Sequence, residues 1–424
     1  MIKFILKGLL RDRSKFLFPV LTVFSGVMLT VFLYSWMNGV MTEIIRTTAH
    51  FQTGHVKITT RAYAKEEAQI PNDLALTDVD SLLTSVRLQF PDIYWVPRIR
   101  FSGLIDVPDE KGETKKQAPV FGIAVDLTGK NETENKILDI ENKIVSGRMA
   151  VKPFDILVST LLVEKLGITV GDNITLISTT MNGSLVMWNF IVAGTVNFGI
   201  SGLDKSFIIA DFSGMQKALD MENCAGEILG FFKNDLYQKE KSSEIALAFN
   251  SNYNDKNNEF SPVMTTLYNQ NDLSSIIDMA SKFTGIIAFI FIGAMSVVLW
   301  NSGLLSGLRR YGEFGVRLAM GETKKHIYGS LILESLITGI IGSVIGTIAG
   351  LAIGYYLEYK GINMASMFKN ATLTVDNVIR ADVTIYSYFI GFIPGICATI
   401  LGSAISGINI FKRNTSQLFK ELEA

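Results

Sequence analysis

The residues best placed to do chemistry lie in one charged stretch between two apolar runs, from Gly303 to Ser335. Between the two apolar runs, at residues 303–326, basic residues outnumber acidic ones: Arg309, Arg310, Arg317, Lys324 and Lys325 are present with only Glu313 and Glu322. Such side chains form ion pairs and hydrogen bonds with a partner, whereas no catalytic constellation is recognisable among them. A short basic loop between two membrane spans is expected to face the cytoplasm.

The same stretch predicts a short amphipathic helix from Tyr311 to Met320. One face carries Tyr311, Phe314, Gly315 and Leu318, and the other carries Arg310, Glu313 and Arg317. Glu313 and Arg317 have the favourable i,i+4 order, which contributes about 0.3 kcal/mol. Gly321 can end this helix, and Thr323 can cap the next one. The helix could act as a rigid lever between two spans or only anchor the loop at the interface.

An ordered set of residues in this helix resembles the signature of the MacB/FtsX-like ABC transporter permeases. The signature reads roughly R-x-x-E-[IF]-G-x-x-[RK]-A-[ML]-G, and the matching residues are Arg310, Glu313, Phe314, Gly315, Ala319, Met320 and Gly321. The basic residue that usually precedes the alanine directly is found two residues before it, as Arg317. The resemblance implies that the segment is a coupling helix, which docks on an ATP-binding subunit.

Glu334 fits the acidic position that follows the coupling helix in this family. It lies about two turns into the third apolar run, where an unpaired carboxylate costs on the order of 3 kcal/mol at the bilayer centre and less near the edge. We therefore expect it to face protein and to pair with a basic residue of the coupling region. The alternative is that it reaches water at the interface.

Composition indicates a membrane protein with a large water-exposed part. The 424 residues are 48% hydrophobic, with a mean hydropathy of +0.30 and a net charge of −1. The near-zero charge argues against nucleic acid as a partner.

The predicted fold has four transmembrane α-helices and a large periplasmic α+β domain between the first two. The predicted segments are 1–15, a cytoplasmic amphipathic helix; 16–40, span one; 41–275, the periplasmic domain; 276–305, span two; 306–326, the coupling region; 327–357, span three; 358–383, an external loop; 384–410, span four; and 411–424, a cytoplasmic tail.

The polar insert contains eight runs rich in β-branched and aromatic residues, which predict strands. They are Val56–Thr60, Tyr94–Val107, Val120–Val125, Ile156–Ser159, Ile174–Thr179, Leu185–Val196, Phe207–Ala210 and Ile228–Phe232. Asn182-Gly183 predicts a hairpin turn, and Thr77 and Asp211 are candidate helix caps. The segment Asp155 to Leu176 resembles part of the MacB-type periplasmic core domain, so this insert is predicted to be MacB-like.

Two sets of small residues predict close helix packing in the membrane. The third span carries Gly342, Gly346, Gly350 and Gly354 at every fourth position, and the fourth carries Gly391, Gly395 and Gly402. We expect these two spans to pack on each other, with Pro394 kinking the fourth. The glycine run of the third span lacks the lysine of a phosphate-binding loop, so this chain is not expected to bind ATP.

Motifs for other chemistry were not found: no HExxH, CxxC or G-x-S-x-G is present, and His50 and His55 have poor spacing for one metal. Cys224 and Cys397 fall in different regions and are not expected to form a disulfide. The chain is therefore predicted to be a non-catalytic subunit without a cofactor or metal of its own. ATP and magnesium are expected on a separate ABC ATP-binding subunit, present in two copies.

The family resemblance implies a permease of the inner membrane that transmits ATPase motion to its periplasmic domain, with both termini cytoplasmic. Met37 to Gly39 resembles the exit of the first span in lipoprotein-releasing (LolC/LolE-like) permeases, which also keep the ATPase on a separate chain. We therefore expect extraction of lipoproteins from the outer leaflet. The alternatives are a MacB-like exporter of a periplasmic substrate and a non-transporting FtsX-like signalling permease. Expected partners are a second permease in a homo- or heterodimer, a lipoprotein or other periplasmic substrate or carrier, and membrane lipid.

Overall fold

The computed structural model describes residues 13–109, 112–129, 133–200, 202–253, 258–270, 273–308, 311–364 and 378–412. The chain divides into two compact units. A helical unit comprises residues 1–42, 278–362 and 379–424, and a second unit, here called the core domain, comprises residues 43–277 and 363–378. Arg310, most of the predicted N-terminal helix, the middle of the predicted external loop and nearly all of the predicted tail lie outside the described residues.

Four helical segments of the described chain are long and apolar enough to cross a membrane. The first helix is Arg13–Thr48, the second Leu273–Leu308 and the third Lys324–Lys360. The first continues as a π-helical turn, Ala49–Thr53, which ends at Gly54 with φ +61°. All three helices extend beyond the apolar runs that predicted them, because the residues that flank each run also adopt helical geometry.

The fourth segment is not one regular helix. It begins as a 3₁₀ turn, Ile385–Tyr388, passes through a π-helical stretch, Ile393–Ala398, and becomes α-helical over Thr399–Lys412. Pro394 lies in the first turn of the π-helical stretch, where its missing N–H removes a donor from the helical ladder. The irregularity therefore lies at the proline that the sequence marks as a kink.

The sequence predicted that the glycine ladder of the third helix packs on the fourth span, whereas most of the ladder packs against the first helix. Added Cβ atoms at Gly342, Gly346 and Gly350 would meet Val23, Val27 and Val31, one after the other, at distances of 2.6 to 2.9 Å. Those three valines are at most 1% exposed. Because each glycine presents only backbone, the two helices approach closely along the whole ladder. Gly354, at the end of the ladder, lies near Val383 and Ser35.

The fourth segment also packs on the third helix, through a neighbouring face. An added Cβ at Gly395 would collide with Ser343, and one at Gly391 would lie 3.4 Å from the Thr347 hydroxyl. Both glycines also contact Val27 of the first helix. Gly402 lies instead against Trp300 of the second helix. The small residues of the fourth segment thus contact three helices, so glycine spacing alone could not identify the partner.

The core domain is built on a ten-stranded sheet. Its strands are β1 (Val56–Thr60), β3 (Ile93–Pro108), β4 (Thr114–Val125), β5 (Ile144–Gly147), β6 (Asp155–Ser159), β7 (Asn173–Thr179), β8 (Leu185–Val196), β9 (Phe207–Asp211), β11 (Glu227–Phe232) and β12 (Pro262–Thr266). Two-residue strands pair in smaller sheets: β2 (Leu76–Thr77) with β10 (Cys224–Ala225), and β13 (Ile362–Asn363) with β14 (Val378–Ile379).

Six of the ten strands close into a barrel. The pairing runs β3-β4-β9-β6-β8-β7 and returns to β3, with β4–β9 and β6–β8 parallel. Apolar side chains from every strand of the ring fill the interior, among them Phe101, Ile156 and Phe190. The remaining cavity measures about 10 Å³, at the lower limit for one water molecule, so the barrel interior is packed core rather than a binding site.

The strand β3 belongs to two hydrophobic cores. Its first half pairs with β11 and contributes Ile93 and Trp95 to a core beside β1 and β12. Its second half pairs with β4 and contributes Phe101 and Ile105 to the barrel interior. One continuous strand therefore joins the two halves of the core domain.

Helices and turns complete the core domain. The helices are Arg61–Lys65, Val79–Gln89, Thr133–Leu138, Ile140–Lys143, Thr160–Leu166, Phe212–Ala218 and Lys239–Asn252. Asp211 caps its helix as predicted, by accepting from the backbone N–H groups of Ser213 and Gly214. The prediction of Thr77 as a cap is wrong, because the cap position is Asp78 and the side chain of Asn223 accepts from the N–H of Asp80.

Candidate functional site

The charged stretch singled out in the sequence contains a short helix, Tyr311–Ala319, here called the loop helix, between the second and third helices. Phe314 is 2% exposed and packs with Ile327 and Leu331 of the third helix, and the half-buried Leu318 lies against the same cluster. Val316 and Met320 are 40% and 75% exposed. The loop helix therefore fixes one apolar face to the third helix and leaves a second apolar pair uncovered.

Arg317 ties the loop helix to the segment that follows it. Its Nε and Nη2 donate to the two carboxylate oxygens of Glu322 at 2.6 Å each, and its Nη1 donates to Ser330 Oγ at 3.3 Å. The hydrogen bonds from Arg317 hold the pKa of Glu322 below its usual range, so the carboxylate stays ionised at neutral pH. His326 Nε2 lies 3.5 Å from the same carboxylate.

The turn between the loop helix and the third helix has the local signals that the sequence predicted. Gly321 adopts φ +91°, a left-handed conformation that favours glycine, and its N–H donates to the carbonyl of Leu318 at 3.0 Å. The Thr323 hydroxyl accepts from the N–H of His326 and caps the third helix. Residues 320–323 separate the loop helix from the third helix, and hydrogen bonds within this turn connect the two.

The remaining residues of the predicted coupling site occupy different environments. Gly315 is buried, Glu313 is half-buried, and Ala319 is exposed like Met320. Glu334 is half-buried in the third helix. Its pairing with a basic residue stays a prediction, as does the docking role of the whole set.

Glu322 and Ser330 are the two partners that sequence reasoning missed. The sequence paired Arg317 with Glu313, by helical spacing, whereas Glu322 lies five positions after Arg317 and beyond the helix end. This spacing brings the side chains together only because the chain turns at Gly321. The sequence signal for the Arg317–Glu322 contact was Gly321 followed by Glu322, directly after the helix that carries Arg317.

Two sets of buried charged side chains in the core domain form ion pairs. Arg98 makes a bidentate ion pair with Glu134, at 2.7 and 2.8 Å, and both residues are at most 1% exposed. Lys57 lies 2.5 Å from Glu67 and 3.0 Å from Glu227. In the part of the chain that the structure describes, no group of three or more His, Cys, Asp or Glu residues is arranged to hold a metal ion.

Comparison with known proteins gives two family matches. The model of the MacB-like periplasmic core domain matches residues 17–234, and that of the FtsX-like permease C-terminal region matches residues 285–415. Together they cover the first helix, most of the core domain, and the later helices with the loop helix. The inserted domain and the apolar helices thus define the class of a membrane permease. The chain belongs to the MacB/FtsX-like family of ABC transporter permeases.

Individual relatives are distant. An uncharacterised ABC transporter permease protein of Mycobacterium tuberculosis is 22% identical over 258 residues, which are 61% of this chain and 28% of that protein. An uncharacterised ABC transporter permease of Methanocaldococcus jannaschii is 24% identical over 171 residues, 40% of this chain and 42% of its own length. The match thus spans less than half of either relative. The crystal structure of the periplasmic region of MacB from Actinobacillus actinomycetemcomitans is 13% identical, with a TM-score of 0.35, covering 55% of this chain and 95% of that one.

Proposed function

We propose that this chain is the permease subunit of an ATP-driven ABC transporter and transmits the motion of a separate ATP-binding subunit to its core domain. The observation that carries the proposal is the loop helix. It is a short helix whose Phe314 is buried against the third helix, whose Val316 is exposed, and which is followed directly by the exposed Met320. A helix held in this way can receive force on its exposed side and pass it to the helix behind it.

The proposed assembly contains two ATP-binding subunits, which hold the ATP and magnesium, and a second permease. It resides in the inner membrane with the loop helix and both termini in the cytoplasm, consistent with the positive charge of the loop. The core domain then lies on the periplasmic side, because one span separates it from the N-terminus. Ala319 and Met320 are exposed and belong to the docking surface in this proposal.

Glu313→Lys tests the coupling role directly. It replaces a negative charge with a positive one at position 313 and leaves the buried side chain of Phe314 in place. ATP hydrolysis should therefore continue while transport falls. Both rates are measured on the permease reconstituted with its ATP-binding subunit. Glu358→Lys, the same change at the far, exposed end of the third helix, is the matched control. Full transport by Glu313→Lys would contradict a coupling role for this residue.

The substrate we propose is a lipoprotein, extracted from the outer leaflet of the inner membrane. The resemblance of Met37 to Gly39 to lipoprotein-releasing permeases supports this choice. Purification of the intact complex distinguishes it from two alternatives. Bound triacylated lipoprotein supports extraction. A periplasmic adaptor with an outer-membrane channel supports a MacB-like exporter, and a cell-wall hydrolase supports an FtsX-like signalling permease.

A further inference from the structure

Three polar side chains join the loop helix, the turn after it and the third helix at one point. Arg317 comes from the loop helix, Glu322 from the turn and Ser330 from the third helix. The Arg317 guanidinium donates to both oxygens of Glu322 at 2.6 Å and to Ser330 Oγ at 3.3 Å. We call these three residues the clamp. The guanidinium is planar and its donors are fixed in direction, so this contact defines an orientation as well as a distance.

The anchoring of Ser330 makes the clamp more than a surface ion pair. Ser330 is 7% exposed, and its hydroxyl donates to the carbonyl of Ile327 at 2.8 Å, which leaves an oxygen lone pair to accept from Arg317. The side chains of Arg317 and Glu322 are 34% and 25% exposed. An exposed ion pair alone would contribute little to stability. A bidentate pair tied to a buried hydroxyl on a long helix can instead fix geometry.

The apolar contacts of the loop helix do not by themselves fix its direction. Phe314 and Leu318 bury apolar surface against Ile327 and Leu331 of the third helix. Apolar burial is non-directional, so it holds the loop helix close without preventing it from pivoting on Phe314. Within the clamp, Arg317 lies about one helical turn after Phe314, toward the C-terminal end of the loop helix. A second point of attachment of this kind removes the pivot.

We propose that Arg317, Glu322 and Ser330 are positioning residues that hold the loop helix at one angle to the third helix. Force applied to Val316 and Met320 then moves the third helix instead of rotating the loop helix. This inference rests on the proposed function, because it assigns the direction in which the coupling movement is passed on. It also gives Arg317 a role different from docking: its guanidinium is directed at its own chain.

The angle can be measured without any substrate. Nitroxide labels are placed at Met320→Cys, directly after the loop helix, and at Tyr359→Cys, and both positions are exposed. The distance between the labels reports the position of the end of the loop helix relative to the far end of the third helix. With 1.5 Å per residue, the labels are roughly 55 Å apart, within the range of double electron–electron resonance. Cys224 and Cys397 are first replaced by alanine, and the full chain is reconstituted in lipid nanodiscs.

Arg317→Lys and Glu322→Gln should each broaden the distance distribution roughly twofold, because a lysine or an amide cannot form the paired ionic hydrogen bonds. Lys325→Gln, which removes an exposed charge nearby, should leave the distribution unchanged. The double variant Arg317→Glu with Glu322→Arg should narrow it again. A role in stability alone would lower the melting temperature of the single variants without widening the distribution.

The inference is overturned if both single variants give a distribution as narrow as that of the wild-type chain. This outcome is separable from failure of the proposed function, which is tested by binding of the ATP-binding subunit to nanodiscs that contain the unlabelled chain. A clamp that behaves as expected in a chain that binds no such subunit leaves the geometry intact and removes the coupling role. If the chain binds the subunit but both variants keep one angle, the coupling role is retained and the clamp is rejected as the residues that set the angle.

Discussion

At the scale of single residues, the histidines of the core domain have structural roles. His55 is 1% exposed and its Nδ1 accepts a hydrogen bond from the N–H of Phe232 at 3.0 Å, so the ring is neutral. Burial lowers its pKa to about 4, an effect that Asp235 opposes and His50 reinforces. His50 contacts Asp235 at 2.8 Å. The two rings have different hydrogen-bond partners, although both contact the ring of Phe231.

We predict that the core domain loses stability on mild acidification because of His55. The unfolded chain takes up a proton near pH 6.5 and the folded chain only near pH 4. The contribution of the neutral ring is therefore complete above pH 6.5, and roughly 2 kcal/mol of it is lost at pH 5. Urea unfolding of the full chain at pH 7.5 and pH 5 measures the difference. His55→Gln should reduce the difference, and His326→Gln, at an exposed position, should not.

At the scale of elements, the regular strands of the core domain followed directly from sequence pattern. Val56–Thr60 and Leu185–Val196 have the predicted bounds, since alternating or continuous β-branched runs ended by turn residues leave little choice. β5 and β12 were missed, because Ile144–Gly147 contains only two β-branched residues and Pro262–Thr266 begins with proline. The closed ring of strands was not predictable, because pairing depends on contacts distant in sequence.

The packing of the third helix gives a prediction at this scale. A Cβ at Gly346 would lie 2.7 Å from the Phe24 carbonyl oxygen and 2.9 Å from Val27 Cβ, so Gly346→Leu must push the first and third helices apart. We expect a loss of about 1–3 kcal/mol, as for overpacked cores. Gly329→Leu is the control in the same helix, since an added Cβ there meets nothing within 4 Å. Thermal stability in detergent compares them, and equal melting temperatures would show that the ladder is not a packing surface.

At the scale of the whole molecule, the sequence was sufficient for the architecture, because four apolar runs and one polar insert leave few arrangements. It was less informative about the candidate site. The helix, its end at Gly321 and the Thr323 cap follow local rules, whereas the Arg317–Glu322 contact depends on how the turn folds back. Sidedness in the membrane stays a prediction from the positive charge of the loop, because the packing of the helices carries no information about it.

Cysteine labelling tests this sidedness. In a chain whose own two cysteines are replaced, Asn182→Cys lies in the exposed β7–β8 turn and Lys325→Cys lies at the start of the third helix. With the outer membrane opened, a maleimide that cannot cross the inner membrane should label the first position only. Both should react after the inner membrane is permeabilised. Labelling in the opposite order would place the core domain in the cytoplasm.

The shared strand β3 has a practical consequence for engineering. Trp95 and Phe101 lie on the same strand but in different cores, so no cut between these residues leaves either half with a complete interior. Grafting one half onto a related permease would break the strand at its most buried point. A core domain exchanged between homologues must therefore be moved as a whole, with its boundaries in the helical segments on either side.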